Sequence, residues 1–130
     1  MPEQRATGAG PGRVLVGVYA FFALAAGARS GVQIATRFTE APLAYLLSAL
    51  AAVIYLVAAV GLARSARAAV LACLGIELAG VLVVGTLSLL MPSAFPDETV
   101  WSAYGLGYGF VPLVLPVLGL LWLARTRARR

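Results

Sequence analysis

Histidine, lysine and asparagine are absent from the 130 residues, and cysteine occurs once, at Cys73. Without histidine there is no bis-histidine haem ligation, and the commonest metal ligand and general base is missing. One cysteine forms neither an intramolecular disulfide nor a CxxC redox pair. A thiol oxidase and a haem-bearing bundle are therefore set aside, and Cys73, inside an apolar run, reads as a small packing residue. No nucleophile paired with a base is visible, so no enzymatic activity, metal or cofactor is expected. Charge is also scarce, at 12% of residues, with five acids against ten bases. All ten bases are arginine. Together with the abundance of alanine, glycine, valine and leucine, this fits codon bias in a GC-rich genome better than phosphate recognition. Most of the arginines flank apolar runs, where they orient helices in a membrane, so no nucleic-acid partner is expected.

What the chain has in excess is apolar surface: 62% of residues are hydrophobic and the mean hydropathy is +0.94. That leaves too little polar surface to cover a soluble domain, and marks an integral membrane protein in contact with the lipid bilayer. Residues 1–12, rich in Gly, Pro and polar side chains without periodicity, read as a disordered cytoplasmic arm. Four apolar runs follow, over residues 13–36, 42–63, 68–91 and 100–124, ahead of a basic tail at 125–130. Each run reaches the ~20 residues a helix needs to cross about 30 Å of hydrocarbon. The expectation is an all-α, four-helix transmembrane bundle. The first run carries an alternative: Arg13, an apolar stretch and then Ala26-Gly27-Ala28 also fit a cleavable signal peptide.

Arg5 and Arg13 in the arm, Arg64 and Arg67 between runs two and three, and Arg125, Arg127, Arg129 and Arg130 in the tail fall on one side of such a bundle. The positive-inside rule then puts both termini in the cytoplasm, against Arg29 and Arg37 on the outer side. Thr39 is the expected N-cap of helix two, with Glu40 in its first turn. Asp97 and Glu98 are expected at the positive end of helix four. Trp101, Tyr104, Tyr108 and Trp122 fit interfacial aromatic belts.

Glu77 is the only acid inside any apolar run, and a membrane-buried carboxylate is expensive enough to suggest a functional site. Nine residues beyond Ala68 at about 1.5 Å each, it falls near mid-membrane, where low dielectric favours a neutral, proton-donating acid. Cys73, Leu74, Gly80, Val81 and Val84 share its face, with Cys73 and Gly80 small enough for a neighbouring helix to come close. On run two, Tyr45, Ser48, Ala52, Tyr55 and Ala59 form a weakly polar stripe, with Tyr55 at the depth of Glu77. On run one, Arg29, Gln33 and Thr36 share a face. Glu77, Arg29, Gln33, Ser48 and Tyr55 therefore make a candidate polar site, a cleft open to the outside with Glu77 at its floor. The alternative is structural: a Glu77–Tyr55 hydrogen bond fastening two helices, and Arg29 snorkelling to the headgroups. Gly27 with Gly31, and Gly75 with Ala79, are expected close-packing points. Gly105, Gly107 and Gly109 form no phosphate loop, lacking a strand before them and a Walker lysine. Pro112 and Pro116 each remove a backbone donor and are expected to bend helix four and free carbonyls in its first half.

The segments VQIATRFTEAPLAYLLSALAAVIYL and FPDETVWSAYGLGYGFVPLVLPVLGLLWL resemble uncharacterised small four-helix integral membrane proteins of actinobacteria. The resemblance implies a multi-pass protein of the bacterial cytoplasmic membrane and carries over no active-site residue. Two functional classes stay open: a non-enzymatic accessory or assembly component packing against a larger membrane partner or a second copy, and a small transporter, channel or ligand-binding bundle with Glu77 as an intramembrane proton or cation site.

Overall fold

A computed structural model describes residues 10–128. The chain is all-α: α1 covers Pro11–Arg37, α2 Pro42–Ala63, α3 Arg67–Leu90 and α4 Val111–Ala128, with short 3-10 turns at Phe38–Glu40 and Pro92–Ala94 and a longer 3-10 segment at Ser102–Tyr108. The expected arm lies largely outside the described residues, and of the expected tail only residues 129 and 130 do. From Pro11 onward the arm is already helical, and α4 runs on through Arg125 and Thr126. Among the described residues, three helices are long and apolar enough to cross a membrane. The 3-10 segment and α4, bent 97° to one another, bring the candidate spans to four if counted as one. The chain is a small polytopic membrane protein.

The three long helices are apolar on every side, so burial alone distinguishes their faces. Leu15, Tyr19, Phe22, Ala26, Ser30 and Gln33 of α1 turn inward at steps of three and four, the repeat that keeps one helical face on a neighbour. Large residues such as Phe21, Leu24, Val53, Leu82, Val83 and Leu121 stay exposed. In water such a surface would be untenable, and against hydrocarbon it is matched. α2 answers α1 with Ala44, Ser48, Ala51, Ala52, Ala58 and Ala59, all buried. Small side chains let the two backbones close, and a Cβ placed on Gly27 would sit 3.8 Å from that of Ala52. The expected pairings at Gly31 and Gly75 do not occur, since nothing lies within 4 Å of a Cβ at either position.

The fourth apolar run departs most from expectation. Arg67, the first residue of α3, donates to the carbonyl of Leu123 and to Thr126 Oγ1 at 3.2 Å, pinning the carboxy-terminal end of α4. Seven residues along α3, Leu74 packs on Gly119, seven back along α4 from Thr126. This antiparallel register sets Pro116 level with Glu77 and starts α4 level with Leu82, about 22 Å up the roughly 36 Å of α3. The part of the run ahead of α4 is irregular backbone. Ala103, Tyr104 and Phe110 adopt φ of 49°, 61° and 62°, a left-handed conformation that costs non-glycine residues on the order of 1–3 kcal/mol each. Packing holds them there: Ala103 N donates to Ser88 Oγ at 2.8 Å, and the Tyr104 hydroxyl lies 2.8 Å from Thr86 Oγ1. Gly85 has no Cβ because Tyr104 fills that space, with its backbone nitrogen 2.7 Å from where a Cβ would stand.

Other local expectations are corrected in the same region. The N-cap of α2 is Ala41, not Thr39, which sits in the 3-10 turn ahead of it. Asp97 and Glu98 precede α4 by more than ten residues and cap nothing on it. Asp97 instead accepts from Tyr45 OH at 3.0 Å and from the Glu98 N–H at 2.9 Å. Trp101 belongs to no interfacial belt, being buried in the bundle.

Candidate polar site within the membrane

Glu77 has no exposed surface, and Tyr19 OH donates to its Oε1 at 2.7 Å. The partner expected from sequence was Tyr55. Tyr55 is equally buried, but its hydroxyl accepts the indole N–H of Trp101 at 2.8 Å. That contact reaches Tyr55 because the loop after α3 turns back into the bundle and lays the Trp101 ring on Gly80, where an added Cβ would stand 2.7 Å from the ring. Gly80 thus serves close approach as expected, to a loop aromatic and not to a helix.

The rings form a continuous column. Tyr19 and Tyr55 have centroids 5.9 Å apart, Phe22 lies 5.9 Å from Tyr55 and 5.6 Å from Tyr108, and Arg29 donates to Tyr108 OH at 3.1 Å. Tilted and edge-to-face pairs at these spacings each add about 0.5–1.5 kcal/mol beyond burial. The column runs from an exposed guanidinium in the carboxy-terminal half of α1 to a sealed carboxyl in the middle of α3, and aromatic carbon fills the path between them.

The five candidate residues are placed as follows. Glu77, Tyr55, Gln33 and Ser48 are buried, the last two at 2% and 6% exposure, and Arg29 is exposed. Among the described residues no hydrogen bond joins any two of them. Gln33 continues the inward face of α1. Counting six residues on from the Gly27–Ala52 contact puts it opposite α2 between Tyr45 and Ser48. Among the described residues, neither its Nε2 nor its Oε1 has a hydrogen-bond partner, and Glu77 Oε2 also lacks one. A buried amide or carboxyl oxygen left in this state costs about 1–3 kcal/mol. Pro112 is the second residue of α4, where a missing N–H is tolerated, and Pro116 lies within the helix. The 97° bend falls ahead of both, at Gly109 and Phe110, where the Phe110 carbonyl accepts from Leu113 N and Val114 N and so starts α4.

Tyr19 and Trp101 are the residues that sequence reasoning missed. Tyr19 sits about 12 Å above the first residue of α1, close to the roughly 15 Å of Glu77 above the first residue of α3, but Tyr55 shares that depth, so depth alone does not single out Tyr19. Nothing in the sequence marks Trp101 as re-entering. No family model, curated protein or solved structure matches the chain.

Proposed function

We propose that this chain is a non-enzymatic accessory or assembly component of a bacterial cytoplasmic membrane, with both termini inside, acting through its apolar outer faces on a larger membrane protein or a second copy. The observation that carries this reading is the sealing of Glu77: a fully buried carboxyl held by Tyr19 of another helix fastens α1 to α3, as interhelical hydrogen bonds in membranes do. The arginines of the amino-terminal arm, of the connection between α2 and α3 and of the tail support the orientation. The test is photo-crosslinking in native membranes from an unnatural side chain placed at Val53 or Val83, both exposed. A discrete adduct to one protein species, or to a second copy, is expected. Adducts to lipid alone from both positions would overturn the reading.

A second reading rests on the polar atoms that lack partners. Glu77 Oε2 and both ends of the Gln33 amide are where a transported proton, cation or small polar ligand would find hydrogen bonds, Glu77 acting as the ionisable group. Proteoliposomes carrying an internal pH dye distinguish the two. The second reading requires a proton leak or coupled uptake that Glu77→Gln abolishes, and the first requires no flux from either protein.

A further inference from the structure

At the end of the bundle away from the re-entrant loop, α1 and α4 diverge, because α1 packs chiefly on α2 and α4 on α3. Between them runs an apolar groove of about 370 Å³, within the ~300–1,000 Å³ of clefts that hold small ligands. Val14 and Leu15 form one wall and Leu118, Leu121 and Trp122 the other, while Pro11 and Arg125 stand at its mouth. The order of these residues along the helices matters. Leu118 lies about 10 Å deeper than Arg125 along the α4 axis, so the groove is apolar toward the bundle centre and cationic where the helices end. That is the polarity of an amphiphile inserted from the membrane surface.

The charge at the mouth has a definite sign. Arg125 is exposed and makes no hydrogen bond or ion pair among the described residues, in contrast to Arg67, which is engaged by Leu123 and Thr126. α1 begins at the same mouth with no side-chain cap and no acid in its first turn, and Arg13 lies within that turn. The positive end of the α1 dipole adds to the arginine field. The described acids lie elsewhere: Glu77 is sealed in the core, and Glu40, Asp97 and Glu98 belong to the connections at the other end of the helices. Among the described residues, an anion there meets attraction only.

We propose that the α1–α4 groove binds one anionic phospholipid, an acyl chain lying along Val14, Leu15, Leu118, Leu121 and Trp122 and the phosphate resting between Arg125 and the amino-terminal end of α1. Two features of the site work together. The apolar walls select a chain-bearing molecule over a free anion, and Arg125 with the α1 terminus selects a negative headgroup over a zwitterionic one. This proposal is independent of the accessory or transport role of the protein.

Native mass spectrometry of the full chain released from detergent tests it, with dioleoyl phosphatidylglycerol and dioleoyl phosphatidylcholine offered at equal concentration. One phosphatidylglycerol adduct is expected, retained about fivefold over phosphatidylcholine, the discrimination of about one arginine near a membrane surface. Arg125→Gln should bring the two lipids level. Arg64→Gln, at the same end of the bundle but away from the groove, should leave the preference intact. Val14→Trp, at a position already 66% exposed, should fill the groove and lower retention of both lipids without loss of helix content. A large excess of glycerol 1-phosphate, which has the headgroup charge and no chains, should displace nothing. Equal retention of the two lipids by the unaltered chain would overturn the proposal. So would equal losses from Arg64→Gln and Arg125→Gln, which indicate diffuse surface charge, and so would displacement by glycerol 1-phosphate, which indicates an anion site without a chain.

Discussion

Tyr19 and Glu77, 58 positions apart in sequence, meet at 2.7 Å in a part of the bundle where neither has any exposed surface. The bond ties the first helix to the third, while the aromatic rings around it tie both to the second. Tyr19→Phe should lower stability in bicelles by about 0.6–1.7 kcal/mol, the range of interhelical hydrogen bonds in membranes. Glu77→Gln, which keeps an acceptor, should cost less than Glu77→Leu, which strands the phenol. A double-mutant cycle between the two positions, read by unfolding equilibria, should return a coupling of about 1 kcal/mol. Strict additivity would show that the contact fastens nothing.

Trp101 leans on a glycine that it cannot do without. Gly80→Ala places a Cβ 2.7 Å from the indole, and the ring cannot retreat without giving up Tyr55. The expected cost is about 1–3 kcal/mol, typical of overpacking. The indole emission of a Trp122→Phe background should shift as well, because Trp101 is then the sole tryptophan. Gly85→Ala should be worse, since there the obstacle includes the Tyr104 backbone. Gly75→Ala, in open space, should be neutral or stabilising by up to about 1 kcal/mol through helix propensity.

Gln33 gives the opposite sign. Replacing a buried amide that has no partner by an apolar residue of similar size removes its desolvation penalty, so Gln33→Leu should stabilise the protein by about 1–3 kcal/mol. A clear loss of stability would mean that the amide is satisfied in the folded protein, which would remove one support of the ligand-site reading.

Burial also reverses what the polar stripe on the second helix suggests. In a Cys73→Ala background, a cysteine at Ser48 should resist a membrane-impermeant thiol reagent, because Ser48 is buried on the α1–α2 seam. A cysteine at exposed Ser93, in the turn after α3, should react from outside the cell. Reporter fusions after Arg130 and within residues 93–99 should fall on opposite sides. Fast labelling at position 48 would restore an open vestibule.

The first three helices were legible from sequence because hydrocarbon thickness sets their lengths and the breaks between them carry Pro42 or the arginine pair. Their bounds differ from expectation by at most two residues at each end. Glu77 was legible as buried because a lone acid in an apolar run has nowhere else to face. Its partner was not legible, because an isolated tyrosine in an apolar run looks like packing until the helices are placed side by side. The fourth run failed for a different reason. Hydropathy registers apolar content and cannot register left-handed backbone at Ala103, Tyr104 and Phe110, residues with no intrinsic preference for it. The glycines and prolines around them announced irregularity without its direction.

That irregular stretch bears on how the protein is made. A continuous apolar helix satisfies its own backbone and can enter a bilayer alone, whereas non-helical backbone at membrane depth is tolerated only when other protein shields it. The shield for residues 99–110 is supplied by Ser88, Thr86 and Gly85 of α3 and by Tyr55 of α2. Residues 99–110 therefore depend on a seat built by α2 and α3, and their ordering is expected to follow the packing of those helices. Assembly in that order is the expected consequence, with Trp101 able to lodge only once Tyr55 and Gly80 stand side by side.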